Sequence, residues 1–328
     1  MSSKKLMEKV IKLFDERGRK AYEVAREEIL SEEIEYEPVR DALEYFIGEL
    51  WHNSQHPALL SLACESVGGK PEDTTSIGAA LVLLTGAADI HDDIIDESET
   101  KGSKPTVFGK FGRDIALLVG DALLLSGFML LHKACEGLQR KQGEKIMSSV
   151  REAFFEIGVA EAKETSFRGN WDVAPEEYFD IIRMKASIAE ATARIGATLG
   201  GGNSNEINAL AHYGRTLGIL MTIRDDFIDL FEPDELRNRV ENECLPLPIL
   251  YAFRNAAKKS EIVRLLKKDE ITEEETEEIL DLIMDTKDVQ ELKKEMQLLI
   301  KKEENLLGQI RTNKNKLRLL LRSTVEDL

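Results

Sequence analysis

The chain has 328 residues, of which 42% are hydrophobic, and it carries 44 Lys and Arg against 61 Asp and Glu, a formal net charge of −17. This length and composition allow a large core and exclude intrinsic disorder. The negative charge argues against nucleic acid or an anionic membrane surface as the main partner, because both would be repelled.

Apolar residues recur at spacings of three and four along most of the chain, which predicts helices and an all-α fold. The segments with this spacing are 1–30, 38–50, 57–67, 75–96, 113–134, 144–169, 175–200, 206–230, 247–256 and 288–322. Two stretches, 77–90 and 115–131, are apolar on almost every side, so we expect them to be central helices of a large bundle.

The connections between these segments are short and polar, and none resembles an interdomain linker. We therefore predict a single domain over 1–328, with its core at about 35–255. From about 257 onward the chain is rich in Lys and Glu, which predicts a peripheral layer of helices over 257–328. Thr272 is expected to cap one of these helices.

The sequence predicts a cytosolic protein without a membrane span. Its first 29 residues mix both charge signs and lack the apolar region of a signal peptide. The longest apolar run, Ile115 to Leu131, is interrupted by Asp121, so it falls short of an uninterrupted bilayer-spanning segment. The three cysteines are Cys64, Cys135 and Cys244. They are odd in number and far apart, which predicts buried free thiols rather than disulfides or a zinc site.

One short pattern of three aspartates occurs twice. The copies are Asp92-Asp93-Ile94-Ile95-Asp96 and Asp225-Asp226-Phe227-Ile228-Asp229. Each copy lies in an apolar helical segment, where positions i and i+4 share one face and form a pair of carboxylates. Burying these charges is costly unless cations neutralise them. Because Mg²⁺ binds carboxylate and phosphate oxygens, we predict two facing carboxylate pairs that hold a diphosphate through metal ions.

Around these motifs the chain resembles the trans-type isoprenyl (polyprenyl) diphosphate synthases, which belong to the class I isoprenoid synthases. The resemblance covers about residues 35–255 and rests on 91–98, 104–106, 111–112, 120–124, Lys185, 224–229 and 247–252. It implies a helical bundle around a deep central cavity in which three Mg²⁺ ions bind an allylic prenyl diphosphate. It also implies transfer of the allylic group to isopentenyl diphosphate, and a homodimer.

The resemblance assigns roles to individual residues. The implied metal ligands are Asp92, Asp96 and Asp225, with Asp93, Asp226 and Asp229 either as further ligands or as supports of the ligands. The implied catalytic residues are Asp92, Asp96, Asp225 and Lys185, the last on the allylic diphosphate. Ala87 and Ala88 precede the first motif by one turn and would form part of the floor of the product tunnel. Their small side chains leave room for a product of about 20 carbons or longer.

The chain departs from the family pattern mainly around the second, non-ionising substrate. Where the family has a Gly-Lys-Arg-x-Arg-Pro segment, this chain has Asn53, Ser54 and His56. Three further positions also differ: Lys101-Gly102 replaces a pair of arginines, Thr222 replaces a Gln, and Cys244-Leu245 replaces a Gly-Lys pair. A hydrogen bond from a cationic side chain to a phosphate is worth roughly 1.5–3 kcal/mol, so these replacements should weaken binding of a second diphosphate. The candidate substrate-binding residues are Lys101, Lys185, Arg237, Arg239, Thr222, His56, Ala87 and Ala88.

These observations support three hypotheses about function. The first is a polyprenyl diphosphate synthase that adds isopentenyl diphosphate to an allylic substrate. The second is an enzyme of the same fold that passes the allylic group to another acceptor, to water or to its own chain, as a class I terpene cyclase does. The third is a non-catalytic subunit that partners an active synthase, although retention of all six aspartates argues against it.

Overall fold

The computed structural model describes residues 3–102, 104–268 and 271–326. The helices of its first half are α1 (Ser3–Leu30), α2 (Glu37–Tyr45), α3 (Gln55–Ser66), α4 (Thr75–Ile95), α5 (Val107–Phe111), α6 (Arg113–Glu136) and α7 (Arg140–Glu164). They are followed by α8 (Pro175–Lys185), α9 (Ser187–Leu199), α10 (Ser204–Asp229), α11 (Pro233–Asn242), α12 (Leu247–Ala252), α13 (Ala256–Leu266), α14 (Glu273–Met284), α15 (Lys287–Leu306) and α16 (Lys314–Ser323). A short antiparallel hairpin after α4 pairs β1 (Thr100–Lys101) with β2 (Lys104–Pro105).

The all-α fold predicted from the apolar periodicity is confirmed. Two predicted segments each contain two helices: 175–200 divides into α8 and α9, and 288–322 divides into α15 and α16. The second division has a clear cause, since Asn313 before α16 has a φ of 57°, a left-handed conformation that interrupts a helix. Helix α11 was not predicted. Leu236 is its single buried residue, so its sequence shows no repeating pattern of apolar residues.

Helix α4 lies in the core, where every residue from Ile77 to Ala87 is buried. Helix α6 packs against it closely because Gly127 has no side chain: a Cβ there would lie 2.8 Å from Cγ of Leu84. The opposite face of α6 is exposed, with Leu125 and Met129 each 64% accessible. The prediction of a helix central on all sides is therefore right for 77–90 and wrong for 115–131.

The helices after residue 257 combine a charged outer face with a buried inner one. Ile279, Leu292 and Leu317 are buried in the same hydrophobic cluster as the apolar face of α10. The predicted cap on α14 is confirmed: Thr272 Oγ1 accepts a hydrogen bond from the Glu275 N–H at 3.3 Å. The Glu275 carboxylate in turn accepts one from the Thr272 N–H at 2.8 Å. The three cysteines are free and buried, as predicted.

By length and composition, α6 is the one helix in the described part of the chain that could cross a membrane. The apolar run in this helix was not predicted to span a bilayer, because Asp121 interrupts it. A core helix of a globular protein meets the same criteria of length and composition, and α6 does contribute one face to the core beside α4.

Candidate active site

A cavity of about 650 Å³ opens beside the C-terminal ends of α4, α7 and α10. Its charged end contains side chains from all three helices and from the end of α8: Asp92, Glu161, Lys185 and Asp225. Most of the remaining wall is apolar, with Phe14, Leu59, Phe154, Ile188, Leu217 and Leu320 among its residues. The cavity therefore joins a charged end to a hydrocarbon-like interior, the arrangement suited to an amphipathic ligand.

The first aspartate motif ends α4, and its three carboxylates have different surroundings. Asp92 lines the cavity, and its Oδ1 is buried with no hydrogen-bond partner among the described residues. Asp93 turns away from the cavity and forms a 2.8 Å ion pair with Lys101 of β1. Asp96 lies 3.3 Å from the guanidinium of Arg168. Oδ2 of Asp93 is likewise buried without a hydrogen-bond partner among the described residues. Because Asp92 lines the cavity and Asp93 and Asp96 do not, Asp92 is the carboxylate of this motif placed to take a ligand from the cavity.

The second motif ends α10 and divides in a similar way. Asp225 lines the cavity, and its closest ion pair, with Arg224, is long at 3.8 Å. Asp226 and Asp229 instead contact Arg239 of α11, at 3.1 Å and 2.7 Å. Both motifs occupy the last turn of a helix, where the negative end of the helix dipole disfavours carboxylates. Both motifs therefore need nearby cations, which offset the helix dipole and neutralise the buried carboxylates.

Lys185, at the end of α8, lines the cavity as expected from the sequence, and it has two carboxylate partners. Its ammonium lies 3.3 Å from Glu161 and also pairs with Glu164. Sequence reasoning missed both of these acids. The spacing of three that places them on one face of the predicted helix 144–169 was a usable signal.

Burial raises the pKa of most carboxyl groups at this end of the cavity. The raised values are about 8 for Asp96 and Glu161, about 7 for Asp93 and Asp226, and about 6 for Asp225. For Asp96 the neighbouring Asp92 adds to the effect of burial, whereas Lys185 opposes burial at Glu161. These groups therefore hold protons more strongly in the folded protein than in the unfolded chain.

This difference predicts that the metal-free protein loses stability between about pH 6.5 and 8.5, where the folded state binds more protons than the unfolded chain. His56 has the opposite effect on stability, because burial lowers its pKa to about 4 and the folded state then binds fewer protons than the unfolded chain. This effect is confined to pH values below about 6.5, the ordinary pKa of the group. Calorimetry in EDTA should show Tm falling across this range. Mg²⁺ with inorganic pyrophosphate should raise Tm more at the higher pH, because metals bind the deprotonated carboxylates. A metal-free Tm that is constant or rises from pH 6.5 to 8.5 would contradict the prediction.

The other predicted substrate-binding residues are only partly brought together. Thr222, His56 and Ala88 line the cavity, whereas Ala87 is fully buried in the packing of α4. Three cations expected near the substrate are not among the residues that line the cavity. Lys101 contacts Asp89 and Asp93, Arg239 contacts the second motif, and Arg237 pairs with Glu241 at 2.5 Å beside a separate small pocket.

The wall formed by the connection into α3 consists of uncharged groups. Trp51, Asn53, Gln55 and His56 line the cavity there. Trp51 Nε1 and His56 Nδ1 are buried and have no hydrogen-bond partner within the described ranges. The low pKa of His56 keeps its ring neutral at physiological pH. This wall therefore presents hydrogen-bonding groups without positive charge.

The oxygen donors at the charged end suit a hard divalent cation such as Mg²⁺. In the ranges that the structure describes, no three His, Cys, Asp or Glu side chains are grouped closely enough to hold a metal by themselves. An ion at Asp92 or Asp225 would therefore need further oxygen ligands. Mg²⁺ commonly takes such ligands from substrate phosphates and water.

Comparison with known proteins identifies relatives of this arrangement. Residues 53–283 match the model of the family described as polyprenyl synthetase. The short chain isoprenyl diphosphate synthase of Methanothermobacter thermautotrophicus is 33% identical over 180 residues, which cover 55% of this chain and 54% of that protein. The geranylgeranyl diphosphate synthase of Methanosarcina mazei is 32% identical over 227 residues, covering 67% of this chain and 68% of that protein.

The chain spans about half the length of the first of these relatives, and the likeness to solved structures extends further. The geranylgeranyl pyrophosphate synthetase of Pyrococcus horikoshii superposes with a TM-score of 0.85 over 97% of this chain and 98% of that chain, at 24% identity. This likeness establishes a common fold. With the family model matching most of its length, the chain belongs to the polyprenyl synthetase family.

Proposed function

We propose that the chain is a metal-dependent prenyltransferase that removes diphosphate from an allylic prenyl diphosphate and extends the prenyl group with isopentenyl diphosphate. One observation carries the proposal: Asp92, Asp225 and Lys185 meet at one end of a cavity whose other walls are mostly apolar. A diphosphate fits the charged end and a prenyl chain fits the apolar interior. The names of the relatives, geranylgeranyl and geranylfarnesyl diphosphate synthases, support the same reaction and a product of that length or longer.

Asp92, Asp96 and Asp225 would hold Mg²⁺, with three ions as the proposed number. When bound, the metal supplies the positive charge that stabilises the departing diphosphate. The ammonium of Lys185 adds a positive charge beside that group. Apolar side chains such as Phe154 and Leu217 border the path of the prenyl chain and exclude water from the reactive allylic carbon.

The proposal is tested by measuring diphosphate release by the purified protein with Mg²⁺ and allylic diphosphates of ten, fifteen and twenty carbons. Each substrate is supplied with and without isopentenyl diphosphate, and the organic products are analysed. Release that yields a lengthened prenyl diphosphate only when isopentenyl diphosphate is present supports the synthase. No release from any of these substrates would contradict it and favour a non-catalytic subunit.

A second candidate, transfer to a different acceptor, is favoured by the uncharged wall at Trp51, Asn53 and His56. A second diphosphate placed there would find no lysine or arginine among the described residues that line this wall. An acceptor without a phosphate group, such as water or a double bond of the same prenyl chain, would need no cationic side chain on this wall. The same assay separates the candidates, because this one releases diphosphate without isopentenyl diphosphate and forms an alcohol or a cyclic hydrocarbon.

Ala88 offers a test of how the prenyl chain lies in the cavity. Because its side chain lines the cavity one turn before Asp92, Ala88→Phe should obstruct the chain and shorten the longest product. Ala87→Phe is the comparison: Ala87 is fully buried, so this variant should lower Tm rather than select a shorter product. Product lengths are read by chromatography. An unchanged product distribution in a folded Ala88→Phe protein would refute this path.

We also propose a cytosolic homodimer in which a second copy, rather than lipid, covers the exposed face of α6. Leu117, Leu118, Leu125 and Met129 are exposed on that helix, and Phe155 and Val159 on the neighbouring α7. Contiguous apolar surface of this kind marks an interaction site.

Sedimentation should give twice the 36.9 kDa chain mass for the wild type and the single chain mass for Leu125→Asp. Leu298→Asp is a matched control, because Leu298 is similarly exposed on α15, away from α6. A Leu125→Asp protein that remains dimeric would show that this face is not the interface.

A further inference from the structure

In each aspartate motif a basic side chain pairs with an aspartate that does not line the cavity. In the second motif this side chain is Arg239, which is only 12% exposed. Its Nη2 contacts Asp226 at 3.1 Å and Asp229 at 2.7 Å, and its Nη1 contacts Glu243 at 2.9 Å. Its Nη1 also lies 3.8 Å from Glu164. A buried guanidinium with four carboxylate partners is held in one place, because moving it would leave those charges unpaired.

The carboxylate of Asp226 has little capacity left for a metal ion. Its Oδ1 accepts hydrogen bonds from Arg239 and, at 3.4 Å, from the hydroxyl of Tyr178. Its Oδ2 accepts one from the backbone N–H of Leu247 at 2.9 Å. The side chain is fully buried. Both oxygens therefore have protein donors, and neither faces the cavity.

Lys101 has the corresponding position at the first motif. Its Nζ lies 2.7 Å from Asp89 and 2.8 Å from Asp93, and the side chain of Asp93 is only 2% exposed. Asp92 and Asp225 differ from Asp93, Asp226 and Asp229 in that they line the cavity, as Asp89 also does. Oδ1 of Asp92 and Oδ2 of Asp93 both lack a hydrogen-bond partner in the described part of the chain, and Asp225 has the 3.8 Å contact with Arg224.

We propose that Lys101 and Arg239 are positioning residues that serve as fixed counter-ions. They would hold Asp93, Asp226 and Asp229 away from a metal ion and leave Asp92 and Asp225, which line the cavity, to bind it. This inference rests on the proposed function for the identity of the site. It means that Lys101 and Arg239 do not contact the substrate, whose diphosphate is held by metal ions and Lys185.

Helix α11, which carries Arg239, also connects the two motifs. Asn238, the residue before Arg239, donates a hydrogen bond to Ser98 Oγ at 3.0 Å and another to Glu243 at 2.7 Å. Helix α11 thus contacts the segment after the first motif through Asn238 and the second motif through Arg239. The paired carboxylates stabilise the frame that carries Asp92 and Asp225, both of which line the cavity.

The test compares two aspartates of the same motif, Asp225→Asn and Asp229→Asn. Each variant is titrated with Mn²⁺ in the presence of inorganic pyrophosphate by calorimetry, and its Tm is measured without metal. We expect Asp225→Asn to weaken Mn²⁺ binding by more than the roughly 10- to 100-fold lost when an outer partner of a metal ligand is removed, with little change in Tm. Asp229→Asn should lower Tm and weaken Mn²⁺ binding by no more than about 10- to 100-fold. Equal loss of Mn²⁺ affinity in both variants, or none in Asp225→Asn, would overturn the inference.

Arg239 provides an independent measurement. Arg239→Gln should lower Tm, because Asp226 and Asp229 are then buried without their cation, and Arg239→Lys should recover part of the loss. Adding Asp229→Asn to Arg239→Gln should also raise Tm, whereas two independent sites would give additive losses. Because none of these measurements needs turnover, they separate the two proposals. If Mn²⁺ binding follows the expected pattern but no diphosphate is released, the positioning inference stands and the proposed function fails. If diphosphate is released but Asp229 binds the metal, the proposed function stands and the positioning inference fails.

Discussion

Replacing either Asp92 or Asp225 with Asn is expected to reduce Mg²⁺-dependent diphosphate release by about 100- to 1,000-fold, the loss typical of removing one preorganised electrostatic contact at the reacting group. The two residues belong to helices α4 and α10, far apart in sequence, and yet both side chains line one cavity. If both hold metal at one diphosphate, each single substitution should have nearly the full effect, because residues that act as one unit are not additive.

The measurement is the rate of diphosphate release at saturating allylic substrate over a range of Mg²⁺ concentrations. Asp180→Asn is the control, because Asp180 is exposed on α8, whose last residue is Lys185, and forms an ion pair with the neighbouring Arg183. Tm of each variant shows that folding is retained. Activity within the range of the control in both Asp92→Asn and Asp225→Asn would refute the two-motif site.

Replacing Lys185 with Met is expected to destabilise the protein by about 3–5 kcal/mol, because it leaves a buried ion pair without one partner. The ammonium of Lys185 contacts both Glu161 and Glu164, and the side chain of Glu164 is only 6% exposed. Met retains the length and apolar stem of Lys, so the change reports on the charge rather than on packing.

Chemical denaturation measures the free energy of unfolding for this series. Lys163→Met is a matched control, since Lys163 is exposed on α7 beside Glu164. Combining Lys185→Met with Glu164→Gln should recover part of the lost stability by removing the unpaired charge. If Lys185→Met unfolds at the same denaturant concentration as the wild type, the pair contributes nothing and the buried-charge argument fails.

Prediction from the sequence worked best where a single local pattern carried the information. The spacing of apolar residues identified α4 and α10, and the Thr272 cap was readable from the Glu three residues later. It failed where that pattern was absent or ambiguous. Helix α11 has almost no apolar face, so no apolar spacing marked it. In α6 the residues are apolar on almost every side, and this composition does not show that one side of the helix is exposed.

The linear order of residues was sufficient for the helical fold, for the two aspartate motifs and for the chemistry that six such carboxylates imply. It could not show which carboxylates face the cavity. Asp92 and Asp93 are neighbours in a repeated motif, but adjacent side chains on a helix point about 100° apart, and Lys101 pairs with Asp93. Arg239 distinguishes Asp226 from Asp225 in the same way. These pairings depend on how separate helices and a hairpin pack together, since electrostatic contacts act over a few ångströms in space regardless of distance along the chain.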